Sequence, residues 1–213
     1  MSPIFITGIG TGIGKTIISA IVTEALQADY WKPIQAGFDD GTDALTVKHL
    51  ISNKQTNIHS EVYKLKMPAS PHIAAREEGI EINLNEIKTA ISKFETRNSN
   101  VIIEGAGGLL VPLNEKEFIA DLIVQLKAKV ILVSRNYLGS INHSLLTAEI
   151  CKQKNIDVLG WIFNDQYLHY EDEIVSWSGF QKIASVPSTK EINKDFILAQ
   201  AEKIKPSLLK ALA

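Results

Sequence analysis

Hydrophobic residues are concentrated in short blocks along this chain, and the blocks are rich in β-branched side chains. The four clearest blocks cover residues 4–6, 101–103, 130–133 and 158–163. Continuous apolar runs of this length are typical of strands that are buried on both faces, as in a parallel sheet covered by helices. A further strand is predicted over residues 30–33 and a weaker one over residues 182–186.

Between these blocks, apolar residues recur at the spacing of an amphipathic helix. The predicted helices cover residues 15–28, 43–51, 83–94, 118–126 and 142–154. Asn83 is predicted to cap the third of these helices, with Glu86 as its capping partner. The final segment, residues 194–213, is predicted to form a terminal helix that packs on the core and is interrupted at Pro206.

Strands that alternate with helices predict an α/β fold, a mostly parallel sheet flanked by helices and connected by right-handed crossovers. The chain has 213 residues without internal repeats or an evident linker, so we expect residues 1–213 to form a single domain. In such a sheet, ligands bind beyond the carboxyl ends of the strands. Functional side chains are therefore expected directly after the predicted strands.

Composition and charge argue against binding to nucleic acid, insertion into a membrane and secretion. The formal net charge of −2 provides no global attraction to nucleic acid or anionic lipid, and no stretch approaches the ~20 apolar residues that a membrane span needs. The amino terminus lacks the basic and apolar regions of a signal peptide. The single cysteine, Cys151, excludes an intrachain disulfide and is expected to be buried. We therefore expect a cytoplasmic protein that binds neither nucleic acid nor membrane.

A glycine-rich loop follows the first predicted strand and leads into the first predicted helix. Residues 8–16 read GIGTGIGKT, and the glycines let backbone N–H groups turn toward phosphate oxygens. Lys15 is expected to reach the β- and γ-phosphates of a nucleotide, and the Thr16 hydroxyl to bind Mg²⁺. The gap from Gly8 to Gly14 is one residue longer than in the usual motif. The pattern predicts a fold of the P-loop NTPase type, whereas a dinucleotide-binding loop would leave Lys15 without a role.

Two carboxylates are placed to complete a metal site with Thr16. Glu104 ends the apolar block at residues 101–103 and precedes a glycine-rich run that permits close backbone approach to a ligand. Asp43 lies at the start of a predicted helix. Carboxylates and a hydroxyl supply the oxygen ligands that Mg²⁺ prefers. The structural alternatives are that Glu104 caps a loop and that Asp43 caps its helix.

Lys32 follows an apolar strand, at a position that packing explains poorly. A second cation near the γ-phosphate matters if the attacking group is itself an anion, because two anions must then be brought together. At an effective dielectric constant of ~20, like unit charges ~4 Å apart repel by roughly 4 kcal/mol unless fixed cations screen them. Lys32 is therefore a candidate for charge neutralisation beside Lys15.

Taken in order, the motifs of this chain resemble those of the dethiobiotin synthetase family, and they run through most of its length. The matching motifs are Gly14-Lys15-Thr16, Lys32-Pro33, Asp43-Ala44, Ser70-Pro71-His72, Glu104-Gly105-Ala106-Gly107-Gly108, Leu138-Gly139-Ser140-Ile141-Asn142-His143, Gly160-Trp161 and Asn164-Asp165. The ordered set is far more specific than any one motif. Gly12 departs from the acidic or polar side chain that is frequent at its position in relatives, and Ala36 departs from a serine or threonine.

The resemblance implies an ATP- and Mg²⁺-dependent ligase that closes a cyclic urea from 7,8-diaminopelargonate and CO₂. One amine of the diamine becomes a carbamate, and a carbamate oxygen attacks the γ-phosphate of ATP to give a carbamic–phosphoric anhydride. The second amine then closes the ring and phosphate leaves. The resemblance also implies a homodimer with shared active sites, in which residues 138–142 contact the tail of the substrate that is bound to the other subunit.

The same resemblance implies roles for individual residues. Lys15 and Lys32 would neutralise charge on the carbamate and the transferred phosphoryl group, and Thr11 would border the diamine. The implied nucleotide contacts are Gly12, Gly14, Lys15, Thr16, Glu104, Gly105, Ala106, Gly107, Asn164, Asp165 and Pro187, the last three beside the adenine. The implied metal ligands are Thr16, Asp43 and Glu104. The implied substrate contacts are Ser70, Pro71, His72, Gly139, Ser140, Ile141 and Asn142.

Other functions stay open at this point. A partitioning- or positioning-type ATPase shares the sheet and the phosphate loop but characteristically carries a lysine early in that loop, and residues 8–13 contain none. An amidotransferase-linked ligase needs an added glutaminase domain, for which 213 residues leave no room. A non-catalytic relative is the third alternative. His72 and His143 are interpreted as positioning or structural residues rather than as acid–base groups.

Overall fold

A seven-stranded parallel sheet carries the predicted hydrophobic blocks in the computed structural model, which describes residues 2–94, 100–165 and 167–213. Its strands are β1 (Ser2–Gly8), β2 (Asp29–Trp31), β4 (Ile58–His59), β6 (Asn100–Glu104), β7 (Lys129–Arg135), β8 (Val158–Asn164) and β9 (Lys182–Val186). They lie in the order β4-β2-β6-β1-β7-β8-β9, and every neighbouring pair is parallel. Two shorter strands, β3 (Ile34–Ala36) and β5 (Tyr63–Leu65), pair with each other outside this sheet.

Helices cover both faces of the sheet. They are α1 (Lys15–Leu26), α2 (Asp43–Leu50), α3 (Pro71–Glu77), α4 (Leu84–Ser92), α5 (Ile119–Leu126), α6 (Ser140–Gln153), α7 (Glu171–Ser178) and α8 (Lys194–Leu212). Side chains from α1, α2 and α8 share one hydrophobic core with Ile4 and Ile6 of β1, whereas the other helices share a second core with Phe5. Consecutive residues of a strand point to opposite faces, so burial on both faces explains the continuous apolar blocks. The predicted α/β class with a mostly parallel sheet is confirmed.

The strand prediction over residues 30–33 is wrong at its end. Strand β2 stops at Trp31, and Pro33, which has no N–H to donate, separates it from β3. Asn83 caps α4 as predicted, because its side chain accepts from the N–H of Asn85. Its predicted partner is wrong, because the Glu86 carboxylate accepts from the Tyr63 hydroxyl instead. Helix α8 runs through Pro206 without the predicted interruption.

Two of the compositional expectations can be compared with the structure. Cys151 is buried as expected, and burial raises the pKa of its thiol to about 12, so it stays a protonated, apolar core residue. Within the described ranges, no helix combines the length and apolarity that crossing a membrane requires.

Candidate active site

The phosphate loop connects the carboxyl end of β1 to the amino terminus of α1, where the sequence predicts it. Gly14 caps α1 with a φ of 89°, in the left-handed region that favours glycine. A side chain at this position would also collide with the amide of Asn164, which donates to the Ile13 carbonyl at 2.9 Å. The loop therefore needs glycine here for two independent reasons.

Lys15 opens helix α1 and turns back over the loop. Its ammonium donates to the Gly10 carbonyl at 2.6 Å, and the residue is only 7% exposed. Burial lowers the pKa of Lys15 to about 8; Lys32 adds to this lowering, while Glu104 and Asp43 oppose it. The hydrogen bond to Gly10 keeps the Lys15 ammonium over the loop. A phosphate oxygen of a bound nucleotide could then replace the Gly10 carbonyl as its partner.

This lowered pKa predicts a pH dependence of nucleotide binding. Phosphate anions favour the charged lysine, so the pKa of Lys15 should be higher in the bound state and binding should take up a proton above about pH 8. The affinity for ADP should be level between pH 7 and 8 and then fall by roughly tenfold per pH unit, as expected for one proton. Calorimetric titration from pH 7 to 9.5 measures it.

The control for this titration is Lys15→Arg, because the arginine side chain keeps its charge across the whole range. Its ADP affinity should not show the fall above pH 8. A wild-type affinity without that fall, or a fall that persists in Lys15→Arg, would contradict the assignment.

Thr16, Lys32, Asp43 and Glu104 form one compact cluster beside this loop. The Thr16 hydroxyl lies 2.9 Å from Asp43 Oδ1 and 2.9 Å from Glu104 Oε1. The Lys32 ammonium lies 2.8 Å from Asp43 Oδ2 and 3.1 Å from Glu104 Oε1. The carboxyl ends of β2 and β6 thus bring together residues that are up to 88 positions apart in the chain.

Electrostatic interactions keep Lys32 and Asp43 charged. Burial alone would lower the pKa of Lys32, but the charges of Glu104 and Asp43 and their hydrogen bonds outweigh it and raise that pKa. Burial would likewise raise the pKa of Asp43, yet Lys32, with help from Thr16 and Lys15, lowers it. Lys32 is therefore an ammonium and Asp43 a carboxylate at neutral pH.

The structural alternatives for the two carboxylates do not hold. Thr42, not Asp43, caps α2, because its side chain accepts from the N–H of Leu45. The backbone N–H of Asp43 is instead held by Gln35 Oε1 at 3.1 Å, which leaves the carboxylate directed at Thr16 and Lys32. The Glu104 carboxylate accepts from the side chains of Thr16, Tyr30 and Lys32 rather than from the backbone of a loop turn.

A cavity of about 770 Å³ opens over this cluster. Among the predicted site residues it is lined by Thr11, Gly12, Gly14, Lys15, Thr16, Lys32, Asp43, Ser70, Pro71, Glu104, Gly105, Ala106 and Gly107. His72, by contrast, lines a separate cavity of about 300 Å³ and lies 3.0 Å from the Ser70 hydroxyl through Nδ1. The predicted phosphate, metal and diamine residues therefore meet in one place, with His72 behind Ser70.

The predicted adenine residues lie together at the ends of two neighbouring strands. Asn164 ends β8 and is in register with Val186 of β9, directly before Pro187. Asp165 donates its N–H to the Val186 carbonyl and lies 3.6 Å from Arg135. Because Asn164 also holds the Ile13 carbonyl, this group adjoins the back of the phosphate loop.

The turn before α6 lies outside the main cavity of its own chain. Ser140 is fully buried, and its hydroxyl accepts from the N–H of Tyr137 and contacts the hydroxyl of Tyr170 at 2.7 Å. The Tyr170 hydroxyl also donates to the Tyr137 carbonyl at 2.8 Å. The hydrogen bonds of the Ser140 side chain therefore stabilise the turn. The Asn142 side chain, by contrast, is exposed to solvent.

Sequence reasoning missed three residues that shape the site. Tyr30 donates to Glu104, Gln35 holds Asp43, and Tyr170 holds the turn before α6. A signal for Tyr30 existed, because it precedes Lys32 by two positions and therefore points to the same side of the strand. Gln35 and Tyr170 gave no such signal, since their contacts depend on the path of the chain after the sheet is formed.

The donor chemistry of the cluster suits Mg²⁺. Three hard oxygens, from Thr16, Asp43 and Glu104, converge within 2.9 Å contacts. Across the described ranges, no group of three or more His, Cys, Asp or Glu side chains could hold a metal by itself. Such a sparse set fits Mg²⁺, which keeps water and takes phosphate oxygens as its remaining ligands.

The fold and the phosphate loop place this chain among the P-loop nucleotide-binding proteins. It is similar to the MinD cell division protein of Aquifex aeolicus, with a TM-score of 0.59 and 13% identity over 100% of this chain and 97% of the other. It is also similar to the septum site-determining protein MinD of Pyrococcus horikoshii in complex with Mg-ADP, with a TM-score of 0.60 and 16% identity over 99% and 92%. At such identities the likeness shows the fold alone.

Sequence similarity identifies the family. Residues 2–195 match a family model described as an AAA domain. The chain is 48% identical to the ATP-dependent dethiobiotin synthetase BioD of Cytophaga hutchinsonii, over 96% of this chain and 97% of the relative. It is 46% identical to the protein of the same name from Christiangramia forsetii, over 96% of each. The chain belongs to the dethiobiotin synthetase family, and the resemblance read from its motifs is confirmed. The partitioning-type alternative shares the fold but is not favoured.

Proposed function

We propose that this protein is an ATP- and Mg²⁺-dependent dethiobiotin synthetase that acts on 7,8-diaminopelargonate and CO₂. One observation carries the assignment: a second buried lysine, Lys32, lies beside the phosphate-loop lysine and shares both carboxylates of the metal cluster. The partitioning-type switch has its additional lysine early in the phosphate loop, whereas Lys32 follows β2 and is held by the two carboxylates. A ligase that joins a carbamate to a phosphoryl group must hold two anions together, and a second fixed cation lowers that cost.

The chain's own residues act on charge and position. Lys15 exchanges the Gly10 carbonyl for oxygens of the β- and γ-phosphates, which are cradled by the N–H groups of the loop and of α1. Lys32 stays charged between Asp43 and Glu104 and lines the cavity, where it would offset the charge of the carbamate. Thr16, Asp43 and Glu104 would hold Mg²⁺, which, when bound, offsets negative charge on the transferred phosphoryl group.

The diamine would occupy the same cavity as the nucleotide phosphates. Thr11, Ser70 and Pro71 line the same cavity as the lysines, so this cavity would hold the diamine beside the nucleotide phosphates. A second, largely apolar cavity of about 300 Å³ shares Thr11 and Val111 with the first and borders α6 at Leu146 and Ile150, on the face where a neighbouring subunit would lie. Asn164, Asp165 and Pro187 would border the adenine, and residues 1–213 would act as one ligase domain.

We further propose a homodimer with shared active sites, located in the cytoplasm. Residues 139–142 lie outside the main cavity of their own chain, so a contact to substrate would come from the neighbouring subunit. Leu138 is 93% exposed and Leu146 on α6 is 58% exposed, as expected where a partner subunit covers apolar side chains. The free amino terminus of α6 suits the carboxylate at the end of the substrate.

The metal assignment predicts a changed Mg²⁺ dependence. Asp43→Asn and Glu104→Gln should each raise the Mg²⁺ concentration for half-maximal activity by about tenfold or more, because a neutral amide is a weaker ligand for a hard cation. The matched control is Asp121→Asn, which removes a carboxylate on α5 that pairs with Lys154 at the end of α6. Titration of activity against Mg²⁺ measures all three variants. An unchanged midpoint in both cluster variants would assign the carboxylates a structural role.

The activity itself is tested by phosphate release from ATP. Release should require the diamine and bicarbonate together and should stop when either is omitted. A rate of phosphate release that is unchanged when the diamine and bicarbonate are omitted would favour the nucleotide-switch alternative.

A further inference from the structure

Tyr30 is a buried tyrosine whose hydroxyl contacts the active-site cluster from the hydrophobic core. The side chain lies on β2, is 0% exposed and belongs to the hydrophobic core on the α1 face of the sheet. Its hydroxyl donates to Glu104 Oε2 at 2.8 Å. An aromatic ring fixed in a close-packed core is a rigid support, so the position of this hydroxyl is set by the fold.

The two oxygens of Glu104 have different partners. Oε1 accepts from Thr16 at 2.9 Å and from Lys32 at 3.1 Å, so it faces the phosphate loop and the cavity. Oε2 accepts from Tyr30 and faces the core. The terminal torsion of a glutamate is soft and allows many orientations of the carboxylate plane. A fixed donor on Oε2 removes this freedom and leaves Oε1 as the oxygen presented to the site.

We propose that Tyr30 is a positioning residue that orients the Glu104 carboxylate so that Oε1 faces the metal and the nucleotide phosphates. The inference rests on the proposed function only as far as Mg²⁺-nucleotide binding. A tyrosine hydroxyl is protonated at neutral pH, and here it lies within donating distance of Glu104 Oε2. Outer-shell donors of this kind typically change metal affinity by about 10- to 100-fold when they are removed.

The test compares Tyr30→Phe with a matched control, Tyr63→Phe. Each variant loses one hydroxyl that donates to a glutamate, since Tyr63 donates to Glu86 at 2.7 Å at a site formed by β5 and α4. Mn²⁺ binding to the ADP complex is measured by electron paramagnetic resonance, and ADP binding in EDTA by calorimetry. Tyr30→Phe should weaken Mn²⁺ binding by about tenfold or more and leave ADP binding in EDTA unchanged. Tyr63→Phe should change neither.

A double-mutant cycle separates positioning from general damage. In the Glu104→Gln background, Tyr30→Phe should cause no further loss of Mn²⁺ affinity, because the carboxylate that it orients is gone. Unchanged Mn²⁺ affinity in Tyr30→Phe alone, or an equal loss of ADP binding in EDTA, would overturn the proposal. The measurement does not involve the diamine, so a wild-type protein that lacks ligase activity would sink the proposed function and leave this inference standing.

A measurement on the unaltered chain covers the case in which Tyr30→Phe does not fold. The protein has five tyrosines, which can be labelled with 3-fluorotyrosine and assigned by replacing the other four in turn. The Tyr30 fluorine resonance should shift when Mg²⁺ is added to the ADP complex, because Glu104 then exchanges partners at Oε1. A Tyr30 fluorine chemical shift that is the same with and without Mg²⁺ would overturn the proposal.

Discussion

Replacing Lys15 by alanine should reduce ATP-dependent phosphate release by about 10²-fold or more while the fold is retained. The substitution removes an ammonium that the loop holds over the phosphate site, and the loss of one such electrostatic contact costs roughly 3 kcal/mol. Removing a charge that burial already disfavours should not destabilise the protein, since the pKa of Lys15 is lowered to about 8. Steady-state phosphate release and a thermal unfolding curve measure both expectations.

The control for this variant is Lys127→Ala, which removes a lysine from the carboxyl-terminal cap of α5. It should keep wild-type turnover. Wild-type phosphate release by Lys15→Ala, in a protein shown to be folded, would contradict the assignment of the loop.

Mixing two inactive variants should restore activity if each active site is shared between subunits. One variant is Lys15→Ala and the other is Asn142→Glu, which places a negative charge where the substrate carboxylate is expected. Asn142 is exposed in the first turn of α6, where an acidic residue favours the helix, so this variant should fold. A mixed dimer has one site with both lesions and one with neither. With random exchange, roughly half of the dimers are mixed, so about a quarter of wild-type activity should return.

A chain that carries both substitutions provides the mirror control. This chain is mixed with an equal amount of wild type, and the activity is compared with that of the same total amount of wild type alone. About a quarter should remain if sites are shared, and about half if each chain forms its own site. No recovery in the first mixture after verified subunit exchange would rule out the shared site and leave the ligase chemistry standing.

The sheet and the centre of the site could be predicted because their signals are local. Continuous β-branched blocks indicate buried parallel strands, and Gly14-Lys15-Thr16 between a strand and a helix indicates a phosphate loop even with the longer gap from Gly8. Parallel strands end at one edge, so Glu104 and Lys32 had to lie near that loop. The capping alternative for Asp43 was excluded only by the structure, because the deciding contacts come from Thr42 and Gln35.

The missed elements depend on contacts that are distant in sequence. Strands β4 and β5 are two and three residues long, too short for a periodic signal, and they form because β2 and β3 offer paired edges. Helix α3 begins with Pro71 at its first turn, a helix-start signal that the family motif Ser70-Pro71-His72 obscured. The spacing of Tyr30 from Lys32 indicates only the side of the strand on which it lies, and its hydrogen bond to Glu104 is known from the structure alone.

The most direct test of the proposed function is the identity of the product. The protein is incubated with ATP, Mg²⁺, 7,8-diaminopelargonate and ¹³C-bicarbonate, and the products are resolved by mass spectrometry. We expect a cyclic urea that carries one labelled carbonyl carbon, formed together with one phosphate and one ADP for each ring closed. Consumption of ATP without any labelled cyclic urea would contradict the proposal.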